Sequence, residues 1–145
     1  MNSPSPLRII VIEDNSDHAK ILKWAFEQTN HPTHLTFFPD ADSALGRLSD
    51  DGQAPPLMPD LIFLDYNLPR MSGREVLTRL KAHKNSKDVP VIVLSSSERE
   101  EDVRYAYELG ASTYISKGVI LNELRNSLQA VLDYWSTIAK LPRRS

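Results

Sequence analysis

"DLIFLDYNLPRMSG" (residues 60–73) carries four apolar residues, Leu61 to Leu64, straight into an aspartate, Asp65. A polar turn containing Pro69 and Gly73 follows, and then a helix-like run, "REVLTRLKAH". An apolar run this short, bounded by turn residues, reads as a buried strand. Buried strands usually end in Gly, Ser or Asn, so a carboxylate at that position needs a reason.

Working outward, the same pattern recurs along the chain. Apolar runs stand at "LRIIVI" (7–12), "HLTFF" (34–38), "DLIFL" (60–64) and "PVIVL" (90–94), with a weaker one at "STYIS" (112–116). Helical spacing lies between them. "DHAKILKWAFEQT" places Ile21, Leu22, Ala25 and Phe26 on one face, and "SGREVLTRLKAH" does so with Val76, Leu77 and Leu80. "SEREEDVRYAYELGA" offers Ser97 as an N-cap, acids in the first turn, and Gly110 just past the helix end. Strand and helix alternate five times, which predicts an α/β fold: a parallel sheet with helices on both faces and right-handed crossovers. The connection "SDDGQAPPLMP" (49–59) reads as a surface loop at the amino end of the sheet, away from where such folds bind ligands.

Composition narrows the function classes. The 145 residues suit one domain, with 41% hydrophobic and 25% charged residues. With 17 basic and 19 acidic residues the net charge is −2, so no overall basic field favours nucleic acid or anionic lipid. The absence of cysteine excludes disulfides, thiolate metal sites and Cys nucleophiles. "MNSPSPLRII" lacks the marks of a signal peptide, and no apolar run reaches membrane-spanning length. A cytoplasmic protein, without nucleic-acid or membrane partners, is the expectation. His18, His31, His34 and His83 do not form a metal constellation.

The strand ends concentrate chemistry. The first strand runs into Glu13 and Asp14, and the third into Asp65. In an open parallel sheet the ligand crevice lies outside the carboxyl ends of the strands, where the winding reverses. If the five strands take the order 2-1-3-4-5 common in such folds, strands 1 and 3 are neighbours there, and three carboxylates would converge. A hard divalent cation such as Mg2+ would relieve their repulsion. The plainer reading is that Asp14 or Asp65 simply caps the following helix. The fourth strand ends in Ser95 and the fifth in Lys117. Taken singly, these read as a strand-end cap and a solvated side chain. A carboxylate nucleophile, a metal, a hydroxyl donor and a lysine together make a phosphoryl-transfer site.

In "VIEDN", "FLDYNLPRMSG", "VIVLSSS" and "GASTYISK", taken in this order, the chain resembles a response-regulator receiver domain of two-component signalling over about residues 7–132. The resemblance implies a flavodoxin-like (βα)5 fold, and the helix-like run "ILNELRNSLQAVLDYWSTIAKL" gives it an extended C-terminal helix. It implies that Asp65 accepts a phosphoryl group from a sensor histidine kinase, and that Glu13, Asp14, Asp65 and the Asn67 carbonyl bind Mg2+. Ser95 and Lys117 would contact the phosphoryl oxygens, while Ser95 and Tyr114 would form the conformational switch. Pro69, Met71 and Gly73 would shape the loop after the acceptor. Receivers usually follow the lysine with proline; here Gly118 stands in its place. A cis bond to a non-proline residue is costly, so a trans Lys117–Gly118 bond is expected.

The domain reading is a tail at 1–6, a receiver at 7–140 and a tail at 141–145, with no output domain, so that output would be protein contact or phosphorelay. Leu121, Leu124, Leu128, Val131, Trp135 and Ile138 form a long stripe on the last helix, of which Trp135 and Ile138 should overhang the domain. With Tyr105 and Tyr107 this face predicts a partner surface and a homodimer through helix 5 or the helix 4–strand 5–helix 5 face. The loops and last helix are also similar to small regulators of bacterial phytochromes, which implies a phytochrome kinase as partner. Two rivals stay open. A haloacid-dehalogenase-type phosphatase would need an acid where Asn67 stands, and a phosphorylation-independent adaptor would usually lack one of the acids or the lysine.

Overall fold

The central strands, β3 (Leu61–Asp65) and β4 (Val91–Ser95), are buried along their whole length. Continuous apolar runs behave this way when helices cover both faces of a sheet. The computed structural model describes residues 6–49, 52, 55–118 and 123–142. Around β3 and β4 lie β1 (Leu7–Ile12), β2 (Thr33–Phe38) and β5 (Thr113–Ser116). The helices are α1 (Ser16–Glu27), α2 (Ala41–Leu48), α3 (Gly73–Ala82), α4 (Glu100–Glu108) and α5 (Leu124–Asp133), the last continuing as a π-helical turn, Tyr134–Ile138. All strand pairs are parallel, in the order β2-β1-β3-β4-β5. This is the five-stranded flavodoxin-like arrangement the sequence predicts.

Alternation along each strand splits the core in two. Ile10, Ile12, Ile62, Leu64, Val91 and Val93 face one way and pack with Val76, Leu77 and Leu80 of α3 and Ala106 of α4. Ile9, Val11, Leu61, Phe63, Ile92 and Leu94 face the other way and pack with Leu22 and Phe26 of α1 and Leu128 and Leu132 of α5. Phe26 and Phe63 meet edge to face, 5.2 Å between centroids. Each such fully buried side chain contributes about 1.5–3 kcal/mol.

Register sets the site. Ile12 lies opposite Leu64 and Asp65 opposite Leu94, so the carboxyl ends of β1, β3 and β4 finish at one level. Of the 49–59 connection, residues 55–59 lie at the opposite, amino end, where Leu57 N–H donates to the Arg47 carbonyl and Asp60 N–H to the Arg8 carbonyl, and residues 50, 51, 53 and 54 lie outside the described residues.

Helix ends follow local chemistry. Gly110 has φ 107°, with its N–H on the Tyr107 carbonyl and the Ala111 N–H on the Ala106 carbonyl, a complete Schellman stop for α4. Ser97, however, is not the α4 N-cap. That position is Arg99, which makes no side-chain cap bond, while Ser97 Oγ donates to Asp102 Oδ2 at 2.6 Å. β5 is an edge strand, and the outward Tyr114 N–H donates to the Tyr107 hydroxyl at 3.0 Å.

Several expectations about apolar faces change. Ile21 is 43% exposed, so the buried stripe of α1 is Leu22, Ala25 and Phe26, with Trp24 also outside. Leu128 is fully buried and cannot be partner surface. Trp135 does not overhang, because it continues the α5 core face and packs against the Leu128–Leu132 side of the core. The Ala139 N–H then bonds the Tyr134 carbonyl, a five-residue closure that widens the turn, and Ile138 is 72% exposed. Leu121 lies outside the described residues.

Candidate functional site

Glu13 follows β1, its N–H tied to the Phe38 carbonyl at 3.0 Å, and its side chain is 4% exposed. Asp65 closes β3 at 2% exposure, and Asp14 beside them is exposed. Carboxylate oxygens of Glu13, Asp14 and Asp65 lie within 4.8 Å of one another. The Lys117 ammonium, just past β5, stands 3.1 Å from Glu13 Oε1 and 3.1 Å from Asp65 Oδ2. Main-chain donors finish the setting. Asn67 N–H meets Asp65 Oδ1 at 3.0 Å, and Asn15 N–H meets Glu13 Oε2 at 3.2 Å.

These neighbours split the two buried carboxyls. Burial, and then the adjacent Asp65, push the Glu13 carboxyl up to about 7, against the pull of Lys117. Burial would raise Asp65 too, but the hydrogen bond with Glu13, the Asn67 N–H and Lys117 together hold it below the usual carboxylate range. Burial would lower Lys117, yet Asp65 and Glu13 keep it above the ordinary lysine value. One excess negative charge is therefore poorly met. Glu13 Oε1 is buried, and although Lys117 is near, it has no aligned hydrogen bond. Oxygen-only ligands, crowded and under-neutralised, fit a hard divalent cation.

The β4–α4 loop faces this cluster. Buried Ser95 is linked to Asn67 Oδ1 at 3.5 Å, and that oxygen also accepts from Ser96 N–H at 3.0 Å and Ser96 Oγ at 3.2 Å. Ser95 Oγ accepts the Ser97 N–H at 3.1 Å, and the Ser97 carbonyl accepts the Tyr114 hydroxyl at 2.8 Å. A relay thus runs Ser95–Ser97–Tyr114. Tyr114 is half-buried, edge-on to Tyr66 with 6.3 Å between centroids. The ring is turned in toward the loop.

The loop after Asp65 is shaped by close approach. A Cβ at Gly73 would sit 2.5 Å from the Tyr66 carbonyl oxygen, so glycine is required there. Met71 packs partly on the core beside α3. The Lys117–Gly118 bond is trans, since the described residues contain no cis peptide. Tyr105 and Tyr107 are exposed on α4, with the Arg74 guanidinium 4.1 Å from the Tyr105 ring centroid.

Two more residues stand at this site, Asn15 and His18, the latter weighed in the sequence only as a metal ligand. Asn15 caps α1, accepting the Asp17 and His18 N–H groups. His18 Nδ1 lies 3.5 Å from Lys117 Nζ and 3.8 Å from Glu13 Oε1. Its signal was a polar ring four residues past a strand-end acid, where an amphipathic helix has no need of one. His31 lies elsewhere, 2.7 Å from Asp133.

Among the described residues no helix is long and apolar enough to cross a membrane. A doubly wound five-stranded sheet with clustered acids at the switch point defines a receiver. The response regulator receiver domain profile matches residues 9–129, and the chain belongs to that family. The chain is similar to Response regulator Rcp1 of Synechocystis sp., 32% identical over 143 residues, which span 97% of this chain and 96% of Rcp1. The crystal structure of the phosphorylated cyanobacterial phytochrome response regulator RcpA superposes with a TM-score of 0.84 at 32% identity, covering 96% of this chain and 100% of that one. The Mn2+-bound form of Rcp1 gives a TM-score of 0.81 at 31% identity, covering 95% and 100%.

Proposed function

We propose that Asp65 accepts a phosphoryl group from the phosphohistidine of a sensor histidine kinase, and that the chain then signals through altered protein contacts or passes the group on. The observation that carries this reading is the buried Asp65 carboxylate, ionised beside Lys117 at 3.1 Å within a three-carboxylate cluster. An Asp65 oxygen forms the new P–O bond as the P–N bond to the kinase imidazole breaks, and the imidazole leaves with the electron pair. Glu13, Asp14, Asp65 and the Asn67 carbonyl would hold Mg2+, which neutralises charge on the transferring group. Lys117 meets the phosphoryl oxygens from the β5 side, and Ser95 donates its hydroxyl from β4.

Phosphorylation adds about 1.5 to 2 negative charges at Asp65. Drawing Ser95 Oγ toward them pulls on the Ser97 N–H it now accepts, and so on the carbonyl that holds Tyr114. The switch then resets the β4–α4 loop and the tyrosines of α4. Tyr105, Tyr107 and Ile138, all exposed, are the surface through which a partner or a second copy would read it. The likeness to phytochrome response regulators supports a phytochrome kinase as the donor.

The test is label transfer. With a small phosphodonor and Mg2+ the chain should gain one phosphoryl group by mass, and Asp65→Asn should gain none. Full labelling of Asp65→Asn at the wild-type rate would overturn the assignment. Ser95→Ala should still be labelled but lose the accompanying change in amide exchange over residues 95–116. An identical exchange response would remove Ser95 from the switch.

A further inference from the structure

The aim of Lys117 is underdetermined by its own backbone. Its ammonium rides on a flexible four-carbon stem, just past the end of β5, and the next residue is the exposed Gly118. Three groups face Nζ: Glu13 Oε1 at 3.1 Å, Asp65 Oδ2 at 3.1 Å and His18 Nδ1 at 3.5 Å. A divalent cation and an arriving phosphoryl group would both engage the two carboxylates. The imidazole is the one member of this trio outside that exchange.

His18 is well placed for a fixed contact. It is the third residue of α1, with its N–H on Asn15 Oδ1 at 3.0 Å. The Asn15 N–H in turn donates to Glu13 Oε2, so the first turn of α1 is tied to the acid cluster. An ammonium can only donate hydrogen bonds, so in this contact Nδ1 is the accepting nitrogen.

We infer that His18 is a positioning residue for Lys117, holding its ammonium toward Asp65 while the carboxylates are engaged by cation and phosphoryl group. The inference rests on the reading of Lys117 as the cation that meets the phosphoryl oxygens. It names a function for a ring that the metal and phosphoryl group do not themselves require.

The experiment is a double-mutant cycle on the full chain, reading the initial rate of Asp65 labelling by phosphoramidate at saturating Mg2+. His18→Ala should slow labelling by about fivefold, the size of one modest hydrogen bond. His18→Asn should recover most of the rate, because its Oδ1 occupies the position of Nδ1 along the side chain. In a Lys117→Ala background, His18→Ala should cost nothing further. A wild-type rate in His18→Ala, no rescue by His18→Asn, or the same fractional loss with and without Lys117 would each overturn the inference while leaving Asp65 as acceptor. A wild-type rate in Lys117→Ala would overturn the Lys117 reading and this inference together, and Asp65→Asn still tests the acceptor separately.

Discussion

The two ends of the sheet treat space and charge in opposite ways. At the amino end a groove of about 950 Å³ is lined by Arg8, His31, His34, Asp60 and Trp135. Its acids have partners: Arg8 Nε lies 3.8 Å from Asp60 Oδ2, and His31 meets Asp133 at 2.7 Å. At the carboxyl end a smaller cavity of about 230 Å³ lies between Asp40 and Arg70, and neither cavity is lined by Glu13, Asp14 or Asp65. There three acids share one lysine. Crowded like charge, rather than room, marks the chemistry, because burying unbalanced carboxylates is costly unless a ligand balances them.

The largest expected effect sharpens this contrast through pH. Between the ordinary carboxyl value of 4.5 and its own value of about 7, folded Glu13 holds a proton that the unfolded chain has released. Metal-free stability should therefore fall as pH rises through that window, by on the order of 3 kcal/mol. Asp65 shifts the other way, but below 3.8 and outside the window. A divalent cation held by these carboxylates would oppose the loss, so the rise in unfolding midpoint on adding Mg2+ should be greater at pH 8 than at pH 6. Urea titrations with and without Mg2+ check this, and a metal-free stability that stays level or rises would break the claim of excess charge.

A smaller effect concerns one ligand. Asp14→Asn should weaken Mg2+ binding by roughly tenfold or more, since loss of even an outer-shell partner commonly costs that much. Calorimetric titration reads it, and an unchanged affinity would remove the exposed acid from the metal site. The smallest effect belongs to the amino end. His31→Ala should leave both Mg2+ affinity and Asp65 labelling where they are in wild type. A change in either would mean that the two ends are coupled, and the contrast would no longer hold.

Much of the carboxyl end could be read from the chain because the relevant distances are set by pattern. Alternation fixed the parallel sheet, and in a parallel sheet residues that follow neighbouring strands, such as Glu13 and Asp65, arrive side by side. What escaped were contacts set by side-chain geometry. His18 and Lys117 are 99 residues apart, and nothing local in either segment points to the other. Ser97 resembles a cap because serine before acids usually is one, but its hydroxyl reaches the Asp102 side chain in the first turn of α4. On the last helix the core face is legible to Val131 and the exposure of Ile138 is as expected, whereas Trp135, expected to overhang, packs on the core. Trp135 lies within the π turn Tyr134–Ile138, whose wider repeat a 3.6-residue pattern cannot anticipate.

The Tyr107 hydroxyl on the Tyr114 N–H has a consequence for how the molecule associates. An edge strand with open amides is a template on which another chain can add a strand, whether as a partner or as the seed of an aggregate. On β5 that amide is already occupied by a side chain of α4. Strand addition at this edge would first have to displace Tyr107. Removing the hydroxyl with Tyr107→Phe would leave a bare donor on the border of the sheet, favouring self-templating over an interface built from side chains.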